Sequence, residues 1–442
     1  MRISIYSSNY APEPTGIPYF NTLMAEWLAR TKGWTVTVHT GIPHYPWWRV
    51  PDAYARLDFR HGRADELRNG VQVERVAHYV PQAPVTGAKR MRLDASYVWA
   101  VFRRSLRARV RPHVVMIISP PFLGGLLGLF LSWRWRVPVI YHVQDLQIDA
   151  ALDLGMIGRP LARILLAIER VIISNVDLLT TVSDGMRRRI SQKTVGRRIP
   201  ISFPNWADVE TMRTHQGDNR FREEWGIKED EVVILYSGNL GRKQGLEILI
   251  EAFSLLARHS NIHCVIAGAG ADADALREHI RQVCLERLRI VPLVDEKHLV
   301  EFLSAADIHC IPQRRVVADL VMPSKLLNIM AVSRPVIATA DPGTELYRVI
   351  ERSGCGFCSP PEQPVNLASA LAHLAHDPVL RKRMGSAGRI YCEAHLSTDQ
   401  VLGRFAKRLN SLLHPLLDGG IVDRSKHSND RHRNQVQVGM AG

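Results

Sequence analysis

A strand, a glycine-rich loop and the start of a helix follow one another between Val232 and Phe253. Val232 to Tyr236 is an apolar run of strand length, and Ser237 to Gly245 then contains three glycines and two cations. Apolar residues return at helical spacing from Leu246 onward. A connection of this kind is typical of α/β sheets, in which strands and helices alternate.

The same loop is suited to a diphosphate. Its glycines let a ligand approach the backbone, its N–H groups are exposed, and the following helix adds the positive end of its dipole. Arg242 and Lys243 supply side-chain charge. An ordinary βα connection with two solvated cations fits the loop alone equally well, so the rest of the chain must decide.

Length and charge narrow the class of protein. The 442 residues exceed one hydrophobic core and indicate two to three domains. The formal net charge of +14 indicates an anionic neighbour, which charge alone leaves open between nucleic acid, a lipid surface and a phosphorylated substrate. The six cysteines are scattered through the second half, and Met1 leads straight into a strand-like segment, so we expect a reduced, cytoplasmic protein.

Two further patterns are expected to carry no special function. Cys355 and Cys358 have the spacing of a metal or redox pair, but no second pair follows, so we expect neither chemistry. The apolar region from Val114 to Trp133 is interrupted by adjacent prolines and by adjacent glycines. We expect a buried strand, a turn and a packed helix there instead of a membrane span.

The first half opens with a βαβ unit. Its expected elements are a strand from Ile3 to Ser7, a loop that ends at Gly16, a helix from about Ile17 to Thr31 and a strand from Thr35 to Thr40. This pattern predicts the start of a doubly wound sheet. In such a sheet, Gly16 would face a ligand across the carboxyl ends of the strands.

Polar groups follow a later buried strand, predicted over Val137 to Tyr141. His142 and Asp145 come directly after it, where open α/β sheets bind ligands. An N-cap role suits Asp145 as well as a ligand contact does. The aromatic segment from His44 to Arg49 is interpreted either as a lid or as a cap on the sheet.

A strongly basic segment extends from Lys89 to Arg111. It contains eight cations against a single acid, Asp94, and an apolar stripe at helical spacing. The cations are Lys89, Arg90, Arg92, Arg103, Arg104, Arg107, Arg109 and Arg111. The pattern leaves open two interpretations, a helix on an anionic membrane surface and a core-packed helix with a solvated basic face.

The second half repeats the alternation of strands and helices. Two prolines between Ile199 and Asp208 interrupt the rhythm and mark a domain boundary. We therefore predict α/β domains over residues 1–203 and 204–396, a closing helix within 397–418, and a disordered tail over 419–442.

Several segments, in this order, resemble the GT-B glycosyltransferases, specifically the retaining enzymes of family 4. They are Tyr10 to Gly16, His142, Thr181 to Ser183, Phe203 to Asp208, Gly238 to Gly245, Gly268 to Gly270 and Pro323 to Asn328. The resemblance covers about residues 1 to 413. It implies two Rossmann-like domains that face each other across a cleft. In this family the first domain binds the acceptor, the second binds the sugar nucleotide, and the last helix returns toward the first.

The resemblance also implies roles for individual residues. The implied donor-binding residues are Gly16, Gly238, Asn239, Gly268, Gly270, Ser324, Lys325 and Asn328. His142, Arg242 and Lys243 are the candidate catalytic residues, and Asp145 and Thr15 are candidates for acceptor contact. His142 would position or polarise the acceptor hydroxyl rather than act as a nucleophile.

The chain departs from the family pattern at two places. Most members have Arg directly after the first glycine of the donor loop and Lys directly before the last, where this chain has Asn239 and Gln244. The usual pair of acids is also replaced, by Leu320 and Asn328. The residue that binds the donor ribose is therefore left open.

Within the family, the segments around Tyr236, Lys325, Trp206 and His142 resemble the colanic-acid biosynthesis glycosyltransferases, which make exopolysaccharide. This implies a lipid-linked saccharide acceptor at the inner face of the cytoplasmic membrane. The resemblance implies a metal-independent enzyme, with no cofactor and a nucleoside diphosphate sugar as co-substrate.

Two other functions remain open from the sequence. A sugar-nucleotide 2-epimerase has the same fold but would need no acceptor. A basic nucleic-acid binder would explain the charge of +14 but not the buried strands with their phosphate loops, and no recognition motif for nucleic acid is evident.

Overall fold

The computed structural model describes residues 1–14, 16–55, 64–82, 87–108, 110–153, 157–194, 199–241, 244–315 and 324–417. Internal contacts divide the chain into a compact unit over Met1–Leu402 and a second over Gly403–Gly442. The first unit contains two separate β-sheets, as expected from the two alternating patterns in the sequence.

The first sheet contains eight described strands. They are β1 (Arg2–Tyr6), β2 (Thr35–Thr40), β3 (Ala64–Arg68), β4 (Val71–Arg75), β5 (Val114–Ser119), β6 (Val139–Val143), β7 (Leu178–Thr181) and β8 (Ile201–Ser202). Their order is β3-β4-β2-β1-β5-β6-β7-β8, and β3 pairs with β4 in antiparallel fashion while the other neighbours are parallel. All six residues of β5 are buried, as a central parallel strand covered on both faces requires.

Helices alternate with these strands along the chain. They are α1 (Ile17–Lys32), α2 (Asp52–Ala55), α3 (Gly87–Ser105), α4 (Gly124–Trp135), α5 (Gln147–Asp153), α6 (Arg159–Asn175) and α7 (Asp184–Lys193). α1 starts where Pro18 occupies its first turn and ends where Gly33 adopts a left-handed conformation, which are the usual start and stop signals.

The second sheet contains six described strands, all parallel. They are β9 (Val232–Asn239), β10 (Ile262–Ala269), β11 (Leu288–Val291), β12 (Ile308–Ile311), β13 (Val336–Thr339) and β14 (Gly356–Ser359), in the order β11-β10-β9-β12-β13-β14. The remaining helices are α8 (Arg220–Glu224), α9 (Leu246–Ser254), α10 (Ala273–Gln282), α11 (Leu299–Ser304), α12 (Lys325–Ala331), α13 (Glu345–Ser353), α14 (Pro364–His376), α15 (Pro378–Tyr391) and α16 (Thr398–Leu417). Two short segments, Glu296–His298 and Cys392–Leu396, are 3₁₀- and π-helical.

The strand order reverses once in each sheet. In the first sheet this happens between β1 and β5, and in the second between β9 and β12. Ligands of open α/β sheets bind in the crevice at such a point, outside the carboxyl ends of the strands. The loops after these four strands are therefore the places to look for a site.

Several predicted element bounds are wrong. The strand predicted over Val137–Tyr141 begins after Pro138 and extends to Val143, so His142 lies within it. β9 likewise continues through Gly238 and Asn239, which were predicted to be loop, because they pair with the end of β10. The apolar region from Val114 to Trp133 is divided into β5 and α4, as expected. No helix in the described part of the chain is long and apolar enough to cross a membrane.

Cys355 lies directly before β14 and Cys358 lies within it. Burial raises the pKa of the Cys358 thiol to about 12, so this thiol stays protonated near neutral pH. Among the described residues, no three acids, histidines or cysteines are grouped so that they could hold a metal ion.

The predicted domain boundaries remain predictions. The tail over 419–442 lies outside the described residues. Trp27 Nε1 donates a hydrogen bond of 2.6 Å to a carboxylate oxygen of Asp399, so the first turn of α16 contacts α1 within the larger compact unit.

Candidate active site

Glycines let the ends of β9 and β10 lie directly against each other. A Cβ atom on Gly268 would be 2.1 Å from the carbonyl oxygen of Gly238, and one on Gly270 would be 2.2 Å from the carbonyl oxygen of Leu240. The Leu240 N–H donates to the Ala269 carbonyl at 2.9 Å. The predicted donor residues Gly268 and Gly270 thus have a structural requirement for glycine, since no side chain fits between these backbones.

Lys325 brings a cation to the end of β9. Its Nζ atom lies 3.9 Å from the ring centroid of Tyr236, and it would be 2.9 Å from a Cβ atom on Gly238. Gly238 has a φ of +151°, which other residues rarely adopt. Of the donor residues implied by the resemblance, Gly238 and Lys325 are therefore brought together at the point where the strand order reverses.

Burial lowers the pKa of Lys325 to about 8, although Cys310 acts in the opposite direction. The reason is that a buried ammonium group loses hydration, which disfavours its charged form. The Tyr236 ring compensates in part through its negative face. A weakly hydrated cation of this kind interacts strongly with an incoming anion.

A cavity of about 50 Å³ adjoins Lys325 and is also lined by Ser237, Cys310 and Asn328. Its volume accommodates one or two waters at about 30 Å³ each, but not a sugar ring. Asn328 therefore shares its surroundings with Lys325, as the resemblance implies. Ser324, the residue before α12, is exposed and makes no side-chain capping hydrogen bond.

Arg314 is a cation of this region that sequence reasoning missed. It follows β12, and its guanidinium pairs with a Glu247 carboxylate oxygen at 2.5 Å. Gly245, at the start of α9, has a φ of +62°, and a Cβ atom there would be 3.3 Å from Arg314 Cγ. The only available signal was its position three residues after the end of a buried strand.

Arg242, Lys243 and Thr15 lie outside the described residues. Their predicted roles in catalysis and acceptor contact remain predictions. Asn239 is exposed at the end of β9, and its backbone carbonyl accepts a hydrogen bond of 2.7 Å from the Tyr236 hydroxyl.

His142 is a buried and uncharged side chain of the first sheet. Its Nδ1 atom lies 2.9 Å from Thr180 Oγ1 on the neighbouring strand β7. Burial lowers the pKa of His142 to about 3, so the ring is neutral near pH 7. No described residue pairs with Nε2, which leaves this nitrogen as the one that could meet a hydroxyl group.

Aromatic residues connect His142 to the segment between the two sheets. The ring centroids of His142 and Phe203 are 4.9 Å apart, and those of Phe203 and Trp206 are 5.7 Å apart. Trp206 in turn contacts Phe20 of α1 at 5.4 Å. The connecting segment is thus packed against His142 and the helix that Gly16 precedes.

A buried hydrogen-bond network joins α1 to the ends of β1 and β6. Asn21 donates to Ser7 Oγ at 2.8 Å and accepts from Gln144 Nε2 at 2.9 Å. Asp145 is half-buried beside Gln144, and its role remains a prediction. Neither Asn21 nor Gln144 had a predicted role, because a single polar residue in a helix or in a loop has no distinctive spacing.

Glu13 anchors the aromatic segment that was interpreted as a lid or a cap. Its Oε1 atom accepts the backbone N–H groups of His44 and Tyr45, both at 2.8 Å, and Asn9 Nδ2 at 3.1 Å. The Oε2 atom is buried and has no partner within the described residues. These bonds tie the start of the segment to the loop that precedes Gly16, where φ is +74°, and the lid and cap interpretations both remain predictions.

Comparisons with known proteins identify relatives across most of the chain. The model named Glycosyl transferase 4-like domain matches residues 15–206, and the model named Glycosyl transferases group 1 matches residues 217–391. The putative colanic acid biosynthesis glycosyl transferase WcaI of Escherichia coli is 32% identical over 92% of this chain and 98% of its own length. The probable glycosyltransferase WbjE of Pseudomonas aeruginosa is 27% identical over 65% of this chain and 71% of its own length.

Solved structures share the fold. Sucrose-phosphate synthase from Thermosynechococcus elongatus aligns with a TM-score of 0.72 at 18% identity, over 93% of this chain and 99% of its own. Anabaena HepE, solved in complex with UDP-glucose, aligns with a TM-score of 0.67 at 16% identity, over 93% of this chain and 100% of its own. The predicted GT-B fold, with two Rossmann-like domains across a cleft, is confirmed.

Proposed function

Because this chain belongs to the group 1 glycosyltransferases, we propose that it transfers a sugar, with retention of configuration, from a nucleoside diphosphate sugar to a lipid-linked saccharide during exopolysaccharide synthesis. The observation that carries the proposal is the Lys325 cation, which is held against Gly238 where the strand order of the second sheet reverses. The name of the E. coli relative supports the exopolysaccharide setting. The UDP-glucose complex of HepE supports a nucleotide sugar as donor.

The departing diphosphate defines what the donor site must do. Negative charge develops on the phosphate oxygen as its bond to the anomeric carbon breaks, and preorganised cations stabilise this charge more than they stabilise the ground state. Lys325 is the observed candidate for this role, and Arg242 and Lys243 are predicted to assist. Side-chain cations take the place that a metal ion has in other enzymes, so the proposed reaction is metal-independent.

The acceptor side of the proposal relies on a neutral histidine. The acceptor oxygen forms a bond to the anomeric carbon on the face from which the diphosphate departs, and the hydroxyl proton passes to the departing phosphate oxygen. No protein base is needed for this step. His142, with a pKa of about 3, is suited to orient the hydroxyl by a hydrogen bond through Nε2 and does not act as a nucleophile.

The two other functions considered from the sequence accord less well with the family. The matching relatives are named as transferases, which favours transfer over epimerisation and over nucleic-acid binding. We propose that the enzyme works at the inner face of the cytoplasmic membrane, where a lipid-linked acceptor is available, and that its basic N-terminal domain contacts the anionic surface there.

Thermal-shift measurements with UDP, GDP, ADP and their sugar conjugates, with and without EDTA, test the proposal. A ligand that binds the native state stabilises it by about 2.7 kcal/mol at a hundredfold excess over its Kd. We expect one nucleotide family to raise Tm, with the same shift in EDTA. Absence of any shift, or a shift that EDTA abolishes, would contradict the proposed donor site or its metal independence respectively.

A further inference from the structure

We propose that helices α3, α4 and α6 form a single face that inserts apolar side chains into an anionic lipid bilayer. This deepens the proposed function, because it rests on the lipid-linked acceptor for its setting, and it identifies the surface that meets the membrane. The sequence indicated a basic helix with an apolar stripe, but Tyr97 and Val101 of that stripe are buried in the structure. The structure adds exposed apolar residues on two further helices.

Four aromatic rings form a continuous row across α3 and α4. Trp99 stacks on Phe102 with a centroid distance of 5.7 Å, Phe102 meets Phe130 at 5.2 Å, and Phe130 meets Trp133 at 6.0 Å. The two tryptophans at the ends of the row are 60% and 70% exposed. Large exposed aromatic rings are enriched where proteins meet the membrane–water interface.

α6 carries a second exposed apolar stripe. Leu161, Ile164 and Val171 lie at helical spacing and are 41%, 60% and 53% exposed. α6 packs closely on α4, because a Cβ atom on Gly125 would be only 2.3 Å from Ile172 Cγ2. The apolar residues of these helices therefore lie on adjoining elements of one domain, in an arrangement that marks an interaction surface.

The exposed charged side chains that flank the apolar residues of α3, α4 and α6 are positive. Exposed cations flank the apolar residues, namely Arg103, Arg134, Arg159, Arg163 and Arg170. The acids within the three helices are Asp94 and Glu169, and both are directed away from solvent. Asp94 is half-buried and accepts from Gln147 Nε2 at 3.4 Å, while Glu169 is buried and pairs with Lys193 at 2.5 Å.

This charge pattern favours a lipid surface over a second copy of the chain. In a symmetric dimer the same patch would meet itself, so arginines would face arginines without exposed acids on these helices to pair with them. Anionic headgroups complement the arginines, and the acyl region accepts the aromatic and aliphatic side chains. The basic segment itself is only partly available, because Arg104 is bonded to Asp65 and Glu74, each at 2.6 Å.

Vesicle flotation of the full-length protein tests the proposal. The probe is a mixture of phosphatidylglycerol and phosphatidylcholine, compared with phosphatidylcholine alone, in low and high salt. We expect the double variant W99A/W133A to lose at least about tenfold in vesicle affinity at all salt concentrations, because buried apolar area sets that part of the binding. The variant R103Q/R134Q should lose binding mainly in low salt, since salt screens charge.

A matched control alters exposed apolar residues of the second domain. Val379 and Ile390 on α15 are 77% and 65% exposed, and V379A/I390A should bind vesicles like the wild type. Unchanged flotation of W99A/W133A, or no vesicle binding by the wild type, would overturn the proposal. So would a wild-type dimer that W99A/W133A converts to monomers without any effect on vesicles.

The nucleotide thermal shift, measured on the same variants, separates this inference from the proposed function. We expect W99A/W133A to keep the wild-type shift, which also shows that it is folded. If no nucleotide shifts the wild type but W99A/W133A still loses vesicle binding, the proposed donor site fails and the membrane face stands. If a nucleotide raises the Tm of the wild type but W99A/W133A binds vesicles like the wild type, the membrane face is wrong and the donor site stands.

Discussion

At the scale of single residues, the candidate site depends on the side chain of Lys325 and on the absence of a side chain at Gly238. Lys325 approaches the end of β9 because Gly238 has no Cβ atom, and Tyr236 provides a ring face for the ammonium group. The glycine and the lysine are 87 positions apart in the sequence. Family resemblance indicated both residues, but their proximity required the folded sheet.

Replacing Lys325 by alanine is expected to lower kcat by about a hundredfold or more, the size of one lost contact to developing charge. Steady-state kinetics with the donor identified by thermal shift provide the measurement. Lys228, an exposed lysine of the same domain, offers the control, and K228A should match the wild type. Equal effects of the two variants would show that Lys325 has no specific role.

The pH dependence gives a second test of the same residue. Because the pKa of Lys325 is about 8, the free enzyme loses this cation as pH rises through that value. We therefore expect kcat/KM, which reports the free enzyme, to fall above about pH 8. K325R should not show this fall, since arginine remains charged.

At the scale of secondary-structure elements, the strands with continuous apolar runs were predictable and the polar ones were not. The hairpin of β3 and β4 was missed, although its Asn69-Gly70 turn is a standard hairpin signal and both residues have positive φ. β3 reads ADELR and lies at the edge of the sheet, so it lacks the apolar alternation of a half-buried strand. Asn21 had no local signal, because its partners Ser7 and Gln144 are distant in sequence.

Arg104 shows how a surface-type residue can stabilise such a polar element. It joins α3 to the hairpin through Glu74 and Asp65. Burial would raise the pKa of Glu74, but the His39 ring, whose Nδ1 lies 3.1 Å from Glu74 Oε2, and the hydrogen-bonded Arg104 lower it to about 2. Removing one partner of such a charge pair destabilises the protein by more than the net stabilisation that the intact pair provides, because the remaining charge is left without a partner.

We expect R104A to lower the free energy of unfolding by about 1–3 kcal/mol, because partly buried acids lose their partner. Its neighbour Arg103 is exposed, so R103A should change stability by less than about 0.5 kcal/mol. Urea denaturation of the two variants provides the comparison. Equal stability of R103A and R104A would contradict the structural role given to Arg104.

At the scale of the whole molecule, buried neutral histidines set how stability responds to acid. Burial lowers the pKa of His142 and His309 to about 3 and that of His78 to about 4. The unfolded chain binds protons on these rings near pH 6.5, so stability falls as pH drops below that value. Asp94 acts in the opposite direction, because burial raises its pKa to about 6 and the folded state takes up a proton first.

His78 offers the most direct test of this pH dependence of stability, because both of its ring nitrogens form hydrogen bonds. Nε2 accepts the Ile42 N–H at 3.1 Å, and Nδ1 donates to the Tyr79 carbonyl at 3.0 Å. A protonated ring has no acceptor, so protonation in the folded state would break the bond from Ile42. Each such histidine therefore contributes about 2 kcal/mol to the loss of stability at about pH 5.

We expect H78N to be less stable than the wild type near neutral pH but to lose about 2 kcal/mol less between about pH 7.5 and pH 5. The measurement is urea denaturation at several pH values across this range. The partly exposed His298 provides the control, and H298N should follow the wild-type pH profile. If H78N lost as much stability as the wild type, the His78 ring would have to be protonated in the folded state, against the hydrogen bonds that hold it.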